Sequence, residues 1–393
     1  MDSEITVVGA GVVGSSLACL LSKQGIKVTL LDRGSPLSIS KSSILQDRTL
    51  ALNLSSIDLF KELSIWSELK KRSTPLKRMF VWDSEGSSPL EFVAEEIKKK
   101  ELGCIISNNT ILKSLCKHIQ DSPEITLRQQ TELSGIDLNE KDASVYFEGG
   151  ERINSKLIIG ADGINSTLRK KAKIKTRTWS YDQRAFVAGL KTEKFHDYTA
   201  WQVFTPKGPI AFLPFDLIEG SNISLVWSAE IEYAEKLQKL SQKEFIKELE
   251  DKTEQILGRI DLKTDIRSFP LNQLHAKNYF SERMVLVGDS AHSFHPLAGQ
   301  GLNIGLSDVT SLCEVLIRAR RKGLDIGSER TLKDYERSRK IPNLTMAAMM
   351  ELFKEGFETS DPWIKLARNF AFNMATKSNT LKKRVIKEAA GIT

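Results

Sequence analysis

The chain has 393 residues, 40% hydrophobic and 27% charged, which suits a globular protein of two domains sharing one or two cores. Its formal net charge of +7 would serve nucleic acid or an anionic membrane surface; no nucleic-acid motif occurs, which leaves the membrane or plain solubility. No apolar run approaches the roughly 18 residues of a spanning helix, a strand starts at once with no signal peptide before it, and the scattered Cys19, Cys104, Cys116 and Cys313 lack CxxC spacing and read as reduced residues of a cytoplasmic protein.

Glu4 to Val8 is an apolar strand, followed by Gly9, Ala10, Gly11, Val12, Val13 and Gly14. A helix then carries Leu17, Leu20 and Leu21 to Gly25, and Lys27 to Leu31 is a second strand ended by Asp32 and Arg33. Strand, glycine turn, helix, strand and terminal acid make a dinucleotide fingerprint. Gly9 makes the turn, Gly11 lets a pyrophosphate approach the backbone, Gly14 lets helix pack on strand, and Asp32 can hold ribose hydroxyls. Gly9, Gly11, Val13, Gly14, Asp32 and Arg33 are assigned to cofactor binding. The fingerprint does not separate FAD from NAD. It opens the chain, however, and no second GxGxxG occurs, as in a flavoprotein that uses nicotinamide without a separate nicotinamide domain.

Ser35 to Gln46 is a Ser-rich loop, and Arg48 to Leu52 leads into a helix predicted to run to about Leu69. Arg78 to Asp83 and Glu91 to Ala94 alternate as half-buried strands do. The runs Lys70-Lys71-Arg72 and Lys98-Lys99-Lys100 read as solvated surface. A helix spans Ser107 to Gln120, and Ile125–Leu127, Leu133–Leu138 and Ser144–Phe147 suggest a β-meander. Leu157 to Gly160 is a third buried strand. It ends at Ala161, Asp162 and Gly163, with Ser166 and Arg169 on the helix that follows. A carboxylate at the strand tip with an arginine one turn into the helix suits a ligand; an ordinary strand–helix turn with a surface arginine is the alternative. Thr178 to Gln273 changes character. Val187–Thr192, Thr199–Phe204, Ile210–Pro214 and Ile223–Trp227 are strand-like, and Ala229 to Ile260 is charged and helical. This predicts a substrate domain built on an antiparallel sheet with helices outside it. Trp201, Phe204, Phe212 and Trp227 are core residues or pocket residues of that sheet.

The stretch LVGDSAHSFHPLAGQGLNIGL, Leu286 to Leu306, organises the rest. An apolar strand, Met284 to Val287, ends at Gly288 and Asp289; Pro296 sits in a tight turn; Gly299 and Gly301 bracket Gln300; and helical spacing starts at Leu302. Free N–H groups and the helix dipole make such a loop an anion-receiving site. A carboxylate such as Asp289 can only accept, which suits a sugar or ribityl hydroxyl. Asp289, Pro296, Gly299, Gln300, Gly301, Leu302 and Asn303 are the candidates here. His295 could assist deprotonation of a phenol, since its unperturbed pKa lies near neutral; the alternative is that His292 and His295 cap or brace the loop. Beyond it a helix ends in the basic run Arg318 to Lys322, which suits a helix C-terminus. Thr331 to Ala348 and Trp363 to Met374 are further helices. Trp363, Leu366, Ala367, Phe370 and Met374 give the last one an apolar face, and Lys377, Lys382, Lys383, Arg384 and Lys387 follow. A docked helix with a solvated basic tail and a membrane-surface helix both fit.

Taken together, GDSAH..HP.AGQGLN.GL.D resembles the second FAD motif of class A flavin monooxygenases, and GADG..S..R resembles their DG motif. R..AL..SS...L..L..W resembles the stretch in which an arginine, here Arg48, lies near the flavin; a surface salt bridge is the other reading of Arg48. Within that group, HP..GQGLN and R..AL..SS resemble the ubiquinone-biosynthesis hydroxylases of UbiH/UbiF type. One departure stands out: Asn109 occupies a position where the family usually has an arginine, and it cannot make a charge-assisted phosphate contact.

The resemblance implies an α/β fold with a discontinuous, Rossmann-like FAD domain (1–73, 102–177, 274–340). A mainly antiparallel β substrate domain (74–101, 178–273) and C-terminal helices (341–393) complete it. It implies FAD bound also by Arg48 and Asp162, reduced by NAD(P)H or another donor and reacting with O₂ to hydroxylate a polyprenylated phenol. The loop from Pro296 to Asn303 would position the flavin ring, with His295 and Pro296 as catalytic candidates; no metal site is assigned. Implied partners are the phenol, O₂, a membrane surface and other ubiquinone-biosynthesis proteins, with no nucleic acid. The implied location is cytoplasmic, peripheral on the inner membrane. Two rivals stand beside this. A monooxygenase of small aromatic acids would want an arginine in the sheet from Thr199 to Trp227, which has only Lys207. A non-catalytic scaffold would lack O₂-coupled NAD(P)H oxidation.

Overall fold

The computed structural model describes residues 3–34, 47–85, 89–215, 220–293, 300–358 and 379–392. Its nucleotide-binding half is a six-stranded sheet. It comprises β1 (Ile5–Val8), β2 (Val28–Leu31), β8 (Ile125–Arg128), β12 (Leu157–Gly160), β19 (Phe280–Ser281) and β20 (Met284–Leu286), in the order β19-β20-β12-β1-β2-β8. All pairs but β19–β20 are parallel. Strands buried on both faces need continuous apolar runs, and Ile5 to Val8, Val28 to Leu31 and Leu157 to Gly160 are buried at every position. Helix α1 (Val12–Ser22) crosses over between β1 and β2. Ile125 to Arg128 therefore pairs parallel to β2, and the meander expected there is confined to β9 (Leu133–Leu138), β10 (Ala143–Phe147) and β11 (Arg152–Ser155).

A small sheet of β3 (Thr49–Asn53), β4 (Thr74–Leu76) and β7 (Gly103–Ser107) joins the two halves. The sequence reads Arg48 to Leu52 as leading into a helix that runs to about Leu69; the chain makes β3 over the lead-in, and the helix is broken into α2 (Leu54–Glu62) and α3 (Trp66–Lys70). The Asn53 side chain accepts from the Ser56 N–H and caps α2, so the helix cannot begin earlier. At α4 (Asn108–Gln120), Ser107 caps, and the Asp47 carboxylate accepts from the Asn109 N–H at 2.8 Å. This helix N-terminus therefore already holds an anion from the chain itself.

The other half is a nine-stranded sheet. Its strands are β5 (Arg78–Asp83), β6 (Leu90–Val93), β13 (Thr176–Thr192), β14 (Thr199–Thr205), β15 (Gly208–Pro214), β16 (Asn222–Glu230), β17 (Ile260–Leu262), β18 (Arg267–Ala276) and β21 (His292–Ser293). Strand alternation separates its two faces. The outer face carries Trp82, Trp201, Phe212, Leu225 and Trp227, and it packs under α6 (Ile231–Lys239) and α7 (Gln242–Lys252) through Leu237, Phe245 and Leu249. Trp201, Phe212 and Trp227 are thus core residues. The inner face carries Gln202, Ala211, Leu213, Ser224 and Val226; the Ser224 hydroxyl lies 2.7 Å from that of Thr49 on β3, which turns this face to the nucleotide half.

After the short helix α5 (Thr167–Lys171), the long helices are α8 (Gln300–Arg321) and α9 (Glu329–Glu358), with α10 (Asn379–Ala389) last. Helix α9 runs unbroken through the domain boundary expected at residue 341, with Pro342 inside it. Helix α10 docks on the protein: Ile386 and Ala390 are buried against Leu76, Ala94, Ile97 and Ala200. The Leu54 N–H donates to the Ala390 carbonyl at 3.0 Å. Lys382, expected to be solvated, is half-buried 2.6 Å from Glu96, while Lys383, Arg384 and Lys387 are exposed. The segment Trp363 to Met374 lies outside the described residues. No described helix is long and apolar enough to cross a membrane.

Candidate functional site

The parallel strands β1, β12 and β20 bring their tips to one edge, where the glycine–acid turns meet. Gly9, at φ +106°, lies so close to Ala161 that a side chain would overlap the Ala161 carbonyl. A Cβ on Gly14 would overlap the Gly9 carbonyl, which confirms its packing role. Gly11 differs. It precedes α1 without a side-chain cap, and a Cβ there would meet nothing within 4 Å. Its open backbone at a helix N-terminus is shaped for a phosphate. Asp32 accepts from the Ala10 N–H and the Gly34 N–H, both at 2.6 Å, which fixes its carboxylate beside this turn with lone pairs to spare. Arg33 is exposed.

The three turns are locked to one another. Val13 is wedged against Gly288 and Gly305: a Cβ on either would meet its methyl carbons at 3.3 and 3.0 Å. Arg169 is buried, not a surface arginine; its guanidinium donates to the Ser290 and Ile164 carbonyls, each at 2.7 Å. The Ser290 hydroxyl donates to Gly160 at 2.6 Å. Asp162 accepts from the Leu168 N–H through Oδ2, while its Oδ1 is buried with no hydrogen-bond partner among the described residues.

Asp289 stands at the tip beyond β20. The residue is exposed, yet enough protein surrounds its carboxyl to desolvate it. Desolvation raises its pKa from the ordinary value, against the pull of His292 and Arg48. Arg48 is exposed, makes no ion pair among the described residues, and acts on Asp289 through space. Behind Asp289 is a buried polar network that sequence reasoning missed. Asp308, fully buried on α8, accepts from the Gly288 N–H at 3.0 Å and lies 2.5 Å from His292 Nε2; Arg339 donates to it at 2.7 Å. Burial alone would raise the Asp308 pKa, but His292 and Arg339 hold it down at about 2. Asn343 links Asp308 to the Tyr279 hydroxyl, which reaches His275 on β18. His292 thus braces the turn. The quoted motif contains His292 and Asp308, but no local spacing signals their link to Tyr279 and Arg339, which come from outside it.

Gln300 begins α8; Gly301 and Leu302 follow half-buried, and a Cβ on Gly301 would meet nothing within 4 Å. The Asn303 side chain is engaged away from the cleft: it accepts from the Asn53 N–H and the Ser56 hydroxyl and donates to the Ala51 carbonyl, tying α8 to β3 and α2. His295, Pro296 and Gly299 lie outside the described residues.

Comparison with known proteins decides the family. The profile described as FAD binding domain matches residues 2–347. The chain is 34% identical over 392 residues to a 3-demethoxyubiquinol 3-hydroxylase from Escherichia coli, covering 99% of each. It belongs to the FAD-dependent ubiquinone-biosynthesis hydroxylases. A ubiquinone hydroxylase, UbiL, from Rhodospirillum rubrum is 31% identical over 99% of this chain and 90% of that protein. The fold is that of p-nitrophenol 4-monooxygenase PnpA from Pseudomonas putida, with TM-score 0.79, 19% identity and coverage of 99% and 98%. The hydroxylase is accordingly an FAD-dependent monooxygenase. Its residues fit the cofactor on their own account: Gly11 leaves a cradle that a Cβ would fill, and Asp162 Oδ1 is a buried acceptor awaiting a donor. Gly11, Val13, Asp32, Asp162, Asp289 and the start of α8 are the groups that would hold it.

Proposed function

We propose that this hydroxylase inserts one oxygen atom of O₂ into the ring of a polyprenylated phenol, with NAD(P)H as electron donor. FAD, when bound, supplies the redox and oxygen chemistry. The chain's own residues hold it: α1 and α8 present N–H groups to anionic parts of the cofactor, and Asp289 accepts from a hydroxyl.

The observation that carries the substrate reading is the inner face of the sheet. One cross-strand row runs Val81, Gln202, Ala211, Val226 and Val187, without a charge. The row next to it runs Met79, Ala200, Leu213, Ser224 and Gly189. A carboxylated substrate would need a buried cation here. The first row does continue to Arg267 on β18, but that side chain is exposed, four strand spacings or about 19 Å from Gln202. A neutral phenol with an apolar tail suits the face, and its aliphatic side chains exclude water from the reacting space.

Such a substrate dissolves in lipid, so the enzyme would work at a membrane surface. Helix α9 supports this. Arg330, Lys333, Arg337, Ile341, Leu344 and Ala348 recur every three or four residues, all exposed, basic in the first half and apolar in the second. Asp334 stands beside the basic half.

Incubation of the FAD-loaded enzyme with NAD(P)H, ¹⁸O₂ and either a short-chain prenylated phenol or an unprenylated aromatic acid tests the function. Labelled hydroxyphenol is the expected product. Turnover of the acid with none of the phenol would overturn the reading.

A further inference from the structure

We infer that Gln202 is the hydrogen-bonding contact for the ring oxygen of the substrate; this rests on the phenol reading above. Gln202 lies in the middle of β14 and is 9% exposed. Its side chain faces inward with Val81 on one side and Ala211 on the other, and it has no hydrogen-bond partner among the described residues. An amide carries two donors and an acceptor. Its amide atoms are not among the fully buried unpartnered polar atoms, so the amide reaches open space on the inner face, where a ligand can meet it. The neighbouring polar group, Ser224, is already paired with Thr49. Gln202 is therefore the polar group of its row, on the face turned to the nucleotide half, with its bonds unspent.

The chemistry suits a phenol. The amide oxygen accepts from a phenol O–H, and the amide nitrogen donates to a phenolate, so the contact survives deprotonation of the ring. Being uncharged, it gives no preference to a carboxylate. Held on a central strand, it would fix one ring atom while Val81, Ala211 and Val226 pack against the ring and tail.

The test compares ligands differing only at that oxygen. FAD-loaded wild type, Q202M and Q202E are titrated with a short-chain 2-prenylphenol and with the matching prenylbenzene, and binding is read from the flavin absorbance change without electron donor. Wild type should prefer the phenol by roughly three- to tenfold, the worth of one hydrogen bond. Q202M should bind both ligands alike, with melting temperature and FAD content unchanged. Q202E, which keeps an acceptor, should restore the preference at neutral pH and below, where the phenol O–H is intact. If Q202M folds and keeps the wild-type preference, the assignment of Gln202 is overturned and the phenol reading stands. If Q202M does not fold, Q202E decides: no phenol preference at any pH overturns the assignment. If wild type binds neither ligand but binds aromatic acids, the phenol reading itself fails.

Discussion

The Arg169 guanidinium donates to the Ser290 carbonyl oxygen at 2.7 Å, so the turn beyond β12 and the turn beyond β20 form one rigid unit. The residue one turn into α5 is thus a bolt between two of the turns proposed to hold the cofactor.

Removing the bolt should loosen both. In Arg169→Leu the Ser290 and Ile164 carbonyls lose their donors, at roughly 1–3 kcal/mol for each group left unsatisfied. The apoprotein should melt lower and FAD affinity should fall with it. Weaker FAD binding at an unchanged melting temperature would instead make Arg169 a direct cofactor contact.

Gly11 and Gly14 should respond in opposite ways to the same substitution. Gly11→Ala adds a methyl group to open space at φ −67°, so apoprotein stability should hold or rise slightly. The same methyl group occupies the phosphate cradle, and FAD affinity should drop at least tenfold. Gly14→Ala collides with the Gly9 carbonyl and should destabilise the apoprotein itself. Paired melting and flavin-binding measurements separate the two. Loss of stability in Gly11→Ala would contradict the open cradle.

Much of this site was legible because its parts are local. A glycine at a turn, an acid at a strand tip and a helix start fall within a few residues, so Gly9, Gly11, Gly14 and Asp162 could be placed by spacing. Val13 was placed too, although its wedge between Gly288 and Gly305 depends on a strand crossover that spacing does not reveal. The helix expected beyond Leu52 is there, broken into α2 and α3, but the strand that precedes it was not foreseen: Leu50 and Leu52 pair with Ile106 and Cys104, a long-range partnership that local spacing does not show. Gln202 went unremarked for the same reason, and so did the role of Asp308, although the quoted motif ends on it. One matters by its place in a cross-strand row, the other by meeting His292 and Arg339 inside the fold.

Asp289 illustrates stability exchanged for binding. Its folded pKa is raised, so ionisation costs the apoprotein stability as pH rises through the unfolded carboxylate range, near 4, to the folded value. At neutral pH, Asp289→Asn should leave the apoprotein as stable as wild type or more so. It should also lose a charge-assisted acceptor worth roughly 1.5–3 kcal/mol toward FAD, about 10- to 150-fold in affinity. Equal FAD affinity with a lowered melting temperature would contradict this.

Asp308 carries the opposite sign. Held at about 2, its pKa lies below the unfolded carboxylate value near 4. Its stabilisation is therefore complete above pH 4 to 5 and is lost as pH falls toward 2. Asp308→Asn strands the partners of a buried ion pair and should cost roughly 3–5 kcal/mol at pH 7. The stability gap between wild type and variant, followed by urea unfolding from pH 7 to pH 3, should stay constant down to about pH 5 and then narrow. A gap independent of pH would show that Asp308 acts through shape and hydrogen bonding alone.

Among the described residues the membrane reading rests on α9, because α10 is docked and Lys382 is spent on Glu96. On α9, Ile341 is 70% exposed and Leu344 46%, one turn beyond the exposed Lys333 and Arg337. The apolar half of the stripe would enter the lipid while the basic half stays at the phosphates. Each cation near an anionic surface is worth on the order of 1 kcal/mol, and salt screens that share. Burying Ile341 and Leu344 would add up to about 1.5–3 kcal/mol each, a share that salt does not screen. Lys333→Gln with Arg337→Gln should therefore weaken binding to anionic vesicles at low salt and change little at high salt. Ile341→Ser with Leu344→Ser should weaken it at both. Since all four side chains are exposed, melting temperatures should be unaffected. A second copy of the chain could cover the same stripe; the serine variant would then alter the concentration dependence of the elution volume and leave vesicle sedimentation as in wild type. Unaltered sedimentation of both variants at low salt would remove α9 from any membrane contact.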